Sequence, residues 1–125
     1  MSKYNNVATA TSDGVVHASV KEATRWCELK LLERAGKIRD LRRQVEYELI
    51  PTQYETYERF SKSGKKLADG VRLAERRCVY VADFVYVDAE TGKTVVEDAK
   101  GMRTEKYVIK RKLMRYLLGI AVQEI

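Results

Sequence analysis

The stretch Cys78–Asp88, CVYVADFVYVD, constrains the fold more than any other part of the sequence. All of its residues are apolar except Asp83 and Asp88. A nearly continuous run of β-branched and aromatic residues is typical of a central strand buried on both faces. A carboxylate in such a strand is costly unless it is paired or binds a cation. Asp83 is therefore a candidate functional residue.

The segment that follows predicts a hairpin. Residues 90–93, ETGK, form a turn, and KTVVEDAKG returns as a second strand, so residues 78–100 pair antiparallel. Asp98 and Lys100 are two apart and share one face, whereas Glu97 faces the other side. Pairing around the turn brings Asp83 level with Asp98. Two carboxylates beside a lysine form either a Mg²⁺ site or a cross-strand salt bridge.

Two helices are predicted from capping residues and periodicity. Ser19, followed three residues later by Glu22, is a capping-box pattern, and Gly36 is a stop signal. Thr104 can cap a second helix over residues 105–118. We expect an apolar stripe of each helix to face the core. In the first helix it consists of Val20, Ala23, Cys27 and Leu31, widened by Trp26, Leu29 and Leu32, and in the second of Ile109, Leu113, Tyr116 and Leu117.

Between the helices the hydrophobic period changes to two. Val45, Tyr47 and Leu49 alternate with polar residues, which predicts a strand that begins at Ile38 and ends at Pro51. Shorter alternating segments predict further strands at residues 15–18, 54–60 and 120–125. The order predicts an α/β fold with a mixed central sheet, in which an antiparallel hairpin is flanked by helices.

Length and charge limit the class of protein. A chain of 125 residues suits a single domain, here 1–125, with residues 1–13 as a mobile N-terminal arm and residues 61–77 as a basic loop. Lys and Arg number 24 against 18 Asp and Glu, and the net charge of +6 favours a polyanionic partner such as nucleic acid. The sequence has no apolar run of the roughly 20 residues that a membrane-spanning helix needs.

Zinc is disfavoured by composition. The chain has one histidine, His17, which we expect at the surface, and no CxxC pair. Cys27 and Cys78 are expected to be reduced core residues, as in a cytoplasmic protein.

One segment carries a family resemblance. VADFVYVDAETGKTVVEDAKG resembles the core of the PD-(D/E)XK nuclease superfamily, in which an acid on one strand precedes an acid, any residue and a lysine on the next. Asp83 matches the first acid, and Asp98-Ala99-Lys100 match the second motif. The chain also resembles small phage proteins similar to Holliday-junction resolvases, through KYNN, SVKEATRWCELKLLERAGKI, YVADFVY and VVEDAKG with the basic helix after it. The resemblance implies a restriction-endonuclease-like core in the order α-β-β-β-α-β.

The resemblance also implies a chemistry, Mg²⁺-dependent hydrolysis of DNA phosphodiester bonds, with Mn²⁺ able to replace Mg²⁺. The metal ligands would be Asp83, Asp98 and an acid on the first helix, for which Glu22 is the match. Lys100 would hold the nucleophile or stabilise charge on the phosphate. Junction resolvases work as symmetric dimers, so a homodimer acting on branched or duplex DNA is expected, in the bacterial host cytoplasm if the chain is phage-encoded.

Several residues keep two interpretations. Glu22 could instead be the capping partner of Ser19, and Glu28 is the second candidate for the helix acid. Gln44, on the strand after the first helix, is either a polar residue near the metal or a plain edge glutamine. One interpretation of the whole chain is a nuclease whose catalytic set includes Glu22, Asp83, Asp98 and Lys100. The alternative is a non-catalytic nucleic-acid-binding module with the same fold.

The second helix and its approach are strongly basic. Arg103, Lys106 and Lys110 lie along one border of the apolar stripe and are predicted to contact phosphates. The alternative is a solvated helix face on a basic structural or interaction protein.

Overall fold

The computed structural model describes residues 7–99 and 102–125. In chain order its elements are β1 (Thr9–Ala10), β2 (Val16–His17), α1 (Val20–Arg34), β3 (Ile38–Ile50), β4 (Gln53–Tyr57), β5 (Gly70–Glu75), β6 (Cys78–Asp88), β7 (Thr94–Asp98), α2 (Glu105–Leu118) and β8 (Gln123–Glu124). The main sheet has the order β3-β6-β7-β8. Its first two junctions are antiparallel and the last is parallel. The predicted α/β fold with a mixed sheet and two helices is confirmed.

Helix α1 begins and ends where its capping residues predict. The backbone N–H of Glu22 donates to the Ser19 side chain at 3.1 Å, and Gly36 adopts a φ of 76° beyond the last turn. The expected apolar stripe is confirmed at Ala23, Trp26 and Leu29, and it was wrong at Val20, Cys27, Leu31 and Leu32, which are exposed. The buried residues are Glu22, Ala23, Trp26 and Leu29. The helix is rotated so that the large indole of Trp26 stacks on Phe84, with ring centroids 6.0 Å apart.

Helix α2 also has the predicted ends, from the Thr104 cap to Gly119, which adopts a φ of 68°. Its predicted stripe was wrong at Ile109, Tyr116 and Leu117, which are exposed, whereas Leu113 is half-buried against the core. The buried residues, two turns apart, are Tyr107 and Met114. The Tyr107 ring packs on Tyr80 of the sheet, with centroids 6.4 Å apart, and this contact sets the buried face.

The two helices cover opposite faces of the sheet, and the strands change face between them. On β6, Tyr80 and Ala82 belong to the core under α2, whereas Phe84 belongs to the core under α1. Residues two apart on a regular strand share a face. On β3, Val45 likewise packs with the α2 core and Leu41 with the α1 core. Both strands therefore reverse their alternation, and residues 44 and 83 lie at the reversal.

Strands β4 and β5 form a separate two-stranded ribbon, residues 53–75, that continues from the ends of β3 and β6. The prediction that 54–60 pair as a strand is confirmed for residues 54–57. The prediction of a loop over 61–77 was wrong at 70–75, which form β5. Every residue of β4 is exposed, and so is every residue of β5 except Gly70. Strand β5, the pairing partner of β4, lies in the segment that was predicted as a loop. Its local sequence pattern therefore did not predict it.

The N-terminal segment is partly ordered. Thr9–Ala10 pair antiparallel with Val16–His17, so the prediction of a mobile arm was wrong for this strand; residues 1–6 lie outside the described part of the chain. Asp13, in the turn, accepts a hydrogen bond from the Trp26 indole at 2.7 Å, which ties the turn to α1. In the described residues no helix is long and apolar enough to span a membrane.

Candidate active site

Gln44 and Asp83 lie opposite each other at the reversal of the sheet. They fall between the paired residues Arg43↔Phe84 and Val45↔Ala82. Gln44 adopts a φ of 52°, which is rare for a residue with a Cβ. Its amide Nε2 donates to Oδ1 of Asp83 at 3.3 Å and to Oε1 of Glu22 at 3.4 Å. One amide thus gathers two carboxylates from different elements.

Glu22 is the innermost of these groups, with 4% of its surface exposed. Its Oε1 lies 3.6 Å from NH2 of Arg43 and 3.5 Å from Nδ1 of His17. The prediction of a surface His17 was wrong, since the ring is fully buried and lies against Trp26. The carboxylate of Glu22 is therefore turned toward the sheet, while its backbone N–H satisfies the Ser19 cap.

Asp83 also marks a fork between two strands. The β6–β7 pairing starts at Val87↔Thr94, next to the turn, and ends at Phe84↔Glu97. Asp83, which precedes Phe84 in the chain, is therefore the first residue of β6 beyond the pairing. Beyond that point Oδ2 of Asp83 accepts the backbone N–H of Ala99 at 2.9 Å. The side chain takes the place of the backbone carbonyl that a continued ladder would supply. Asp83 is thus fixed against the segment that leads into residue 100.

Asp98 lies one residue before that contact and is almost completely buried. Its Oδ2 accepts the hydroxyl of Tyr80, on the α2 side of the sheet. Burial, together with this bond to a carboxylate, raises the pKa of Tyr80 well above its ordinary value. The tyrosine therefore stays a neutral donor and holds the Asp98 carboxylate in place.

Glu97 faces the other side, as predicted from the period of two, but it is buried and not solvated. It accepts two hydrogen bonds from Arg25, at 2.8 and 2.7 Å, and one from the Tyr86 hydroxyl. Burial and the bond to Glu97 raise the pKa of Tyr86 to about 12. Glu28 pairs with the same Arg25 at 2.9 Å and is exposed. The structure thus brings Glu22, and not Glu28, to Asp83.

The predicted DNA-contacting bases differ in their surroundings. Arg103 and Arg111 both pair with Glu124 of β8, at 2.7 and 3.1 Å. Lys106 and Lys110 have no carboxylate partner within the described residues. Lys100 lies outside them, so its predicted place beside the metal is not described. The arrangement leaves Lys106 and Lys110 available to a polyanion.

The oxygen atoms suit a hard cation only in part. Among residues 7–99 and 102–125, no three His, Cys, Asp or Glu side chains are grouped closely enough to hold a metal ion. Glu22 and Asp83 do converge on the same amide, and the carbonyl oxygen of that amide is a further hard donor when the group rotates. Gln44 is exposed, so the cluster opens to solvent at this residue.

The comparisons with known proteins place the chain in a family. Residues 1–119 match the model of a family described as proteins of unknown function, DUF1064. The chain belongs to the DUF1064 family. No curated protein and no solved structure matches it. In this DUF1064 member the side chains around Gln44 form the candidate site.

Sequence reasoning missed two members of this cluster, His17 and Arg43. His17 follows a turn and precedes the Ser19 cap, where polar residues are normally solvated. Its burial depends on the indole of Trp26, which long-range packing positions. Arg43 adjoins Gln44, and the one usable signal was this run of polar residues within an otherwise alternating strand.

Proposed function

We propose that this DUF1064 protein is a metal-dependent endonuclease that hydrolyses phosphodiester bonds in DNA. The observation that carries the proposal is the convergence of Glu22 and Asp83 on Gln44 at a strand fork. These carboxylates lie where the cluster opens to solvent on a basic protein. Such a position suits a cation that binds a phosphate group.

The element order supports a restriction-endonuclease-like core. When the two small sheets are set aside, the elements run α1, β3, β6, β7, α2 and β8. This is the order α-β-β-β-α-β that the resemblance to PD-(D/E)XK nucleases implies. The candidate acids lie on three of these elements, with Glu22 on α1, Asp83 on β6 and Asp98 on β7.

Each side chain has a role in this proposal. Glu22 and Asp83 would hold Mg²⁺, or Mn²⁺ in its place, and Lys100 would face the phosphate. Asp98 would complete the ligand set only after its carboxylate turns away from Tyr80 on the α2 side of the sheet. When bound, the ion acidifies a water and stabilises the charge that develops on the phosphate. Gln44 holds the Glu22 and Asp83 carboxylates in position when no cation lies between them. Arg43, beside Glu22, offsets part of the carboxylate repulsion.

The proposed substrate is inferred from the positive charges on the surface of α2. Lys106 and Lys110 are one helical turn apart on α2 and would contact DNA phosphates, whereas Arg103 is held by Glu124 and would need to exchange partners. We propose branched DNA such as a Holliday junction as the substrate, cut by a homodimer whose two-fold symmetry places two cuts. The cytoplasm, of a bacterial host if the chain is phage-encoded, follows as the place of action.

The deciding experiment is cleavage of labelled junction, flap and linear DNA in Mg²⁺ and in EDTA, by the wild type and by Asp83→Asn. We expect cleavage that needs the ion, and its loss in Asp83→Asn with binding in EDTA retained. Asp40→Asn is the matched control, because Asp40 is an exposed acid on the same sheet and asparagine tolerates its φ of 55°. Full-rate cleavage by Asp83→Asn would exclude this site. DNA binding without cleavage in any variant would favour the non-catalytic module.

A further inference from the structure

The ribbon formed by β4 and β5 has a structured, positively charged tip. Residues 58–66, ERFSKSGKK, hold four bases and one acid. The turn is closed by Ser61, whose N–H donates to the Lys65 carbonyl at 2.8 Å and whose Oγ accepts the Lys65 N–H at 3.0 Å. Gly64 provides the φ of 86° that this turn requires. The tip therefore presents its side chains from a defined backbone.

The charges at the tip are mostly unbalanced. Lys66 pairs loosely with Glu58 at 3.6 Å, with both side chains exposed. In the part of the chain that the structure describes, Arg59, Lys62 and Lys65 have no carboxylate partner. This contrasts with Arg103 and Arg111, which share Glu124. Adjacent unpaired cations repel one another, and a polyanion would relieve that repulsion.

An aromatic side chain stands among these cations. Phe60 is 56% exposed and pairs through its backbone with Lys66. Exposed aromatic rings beside cations are the side chains with which proteins contact sugars and bases while neighbouring lysines bind phosphates. Two-stranded ribbons also have the width that the major groove of duplex DNA admits, roughly 12 Å.

We propose that the tip of the β4–β5 ribbon is a second DNA-binding site, which contacts the phosphates of duplex DNA away from the bond to be cut. The inference rests on the proposed function in taking DNA as the partner. From Gln44 to Phe60 the chain spans at most about 53 Å, at roughly 3.3 Å per residue. One turn of duplex is roughly 34 Å. This length allows the tip to contact DNA about one turn away from the Asp83 cluster.

The same ribbon offers one competing surface. Its uncharged face carries Tyr54, Thr56, Val71 and Leu73, which are cross-strand neighbours and exposed. The opposite face carries the ion pair of Arg72 and Glu55. A second copy of the chain could cover the uncharged face, but the tip charges would then remain unpaired. Charge therefore favours DNA, and self-association becomes an outcome of the test.

The test compares two double variants that remove the same charge. Lys62→Gln/Lys65→Gln alters the tip, and Lys37→Gln/Lys93→Gln alters exposed lysines at the opposite end of the β3–β6 pair. Binding to a 30-base-pair duplex is measured in EDTA by fluorescence anisotropy over a series of salt concentrations. We expect the tip variant to bind about tenfold more weakly at 0.1 M salt, with a log–log salt slope smaller by roughly two. The control variant should retain its affinity within about twofold.

Two results would overturn the proposal. Equal weakening in both variants would mean that only net charge matters. Unchanged binding in the tip variant, with Tyr54→Ser/Leu73→Ser converting a dimer into a monomer in sedimentation, would assign the ribbon to self-association. Because binding is measured in EDTA, tip-dependent binding without any cleavage in Mg²⁺ would uphold this site while the nuclease proposal failed.

Discussion

Gln44 donates from a single amide nitrogen to Asp83, across the β3–β6 pair, and does so from a left-handed backbone conformation. Both strands reverse their in–out alternation at this pair, so that Ala82 packs under α2 whereas Phe84 packs under α1. The amide and the carboxylate meet at this reversal. Glycine would adopt this conformation without strain. A glutamine at this position therefore indicates that its side chain has a role that offsets the backbone strain. The strain itself can be measured.

The first prediction compares Gln44→Gly with Gln44→Ala. Both variants lose the amide, but only glycine adopts a φ of 52° without penalty. Gln44→Gly should therefore be more stable than Gln44→Ala by about 1 kcal/mol in urea unfolding. Equal stability of the two variants would show that the backbone at residue 44 is not left-handed in solution. Both should lose activity, since neither can position the carboxylates.

The limits of sequence reasoning follow from the range of the interactions. Ser19, Thr104 and Gly119 act within one helical turn, and the helix ends were predicted correctly from them. The central strand and its hairpin were also predicted, because nine apolar residues in Cys78–Asp88 leave few other structures. Such features depend on neighbours in the chain.

The candidate site depends on distant neighbours, and its prediction was correspondingly incomplete. Asp83 was identified because a carboxylate interrupts an apolar strand, and the structure then places Glu22 near it. The burial of His17 and the left-handed Gln44 follow from packing between α1 and the sheet, which no local pattern records. Part of the buried face of each helix was mispredicted for the same reason, since packing of Trp26 and Tyr107 on the sheet sets the helix rotation.

A second prediction concerns the buried pair of Arg25 and Glu97. Arg25→Met leaves the Glu97 carboxylate buried with the Tyr86 hydroxyl as its one partner within residues 7–99 and 102–125. We expect a loss of about 3 kcal/mol in unfolding free energy. The double variant Arg25→Met/Glu97→Gln removes the unpaired charge and should be more stable than the single variant. If the double variant is the less stable of the two, the charge of Glu97 has another stabilising partner.

A third prediction uses pH. The hydrogen bonds from Thr11 and then Trp26 lower the pKa of Asp13 to about 2 from an ordinary value of 3.8. The stabilisation is thus fully present above pH 3.8 and is lost as the pH falls through 2. Trp26 is the only tryptophan, so its fluorescence should titrate with a midpoint near pH 2. Far-UV circular dichroism follows unfolding over the same range. A midpoint near 3.8, absent in Asp13→Asn, would show that the indole bond does not form.

The last prediction separates two roles of Glu22. If its role is only structural, glutamine can replace it, because the amide has the same shape and its oxygen can accept the same hydrogen bond from Gln44. As a ligand for a hard cation it needs its negative charge. Glu22→Gln should keep the Ser19 cap, which uses only the backbone N–H of residue 22, and should melt within roughly 4 °C of the wild type because Arg43 loses a charged partner. We expect it to lose most cleavage in Mg²⁺, with partial recovery in Mn²⁺.

The matched control for Glu22→Gln is Glu28→Gln, because Glu28 lies on the same helix and pairs with the exposed edge of Arg25. Glu28→Gln should cleave at the wild-type rate. The reverse pattern, in which Glu28→Gln is inactive and Glu22→Gln is fully active, would move the helix acid to residue 28. Full activity in both would restrict the metal site to the hairpin acids. The buried contacts of Glu22 with Gln44, Arg43 and His17 would then have a purely structural role.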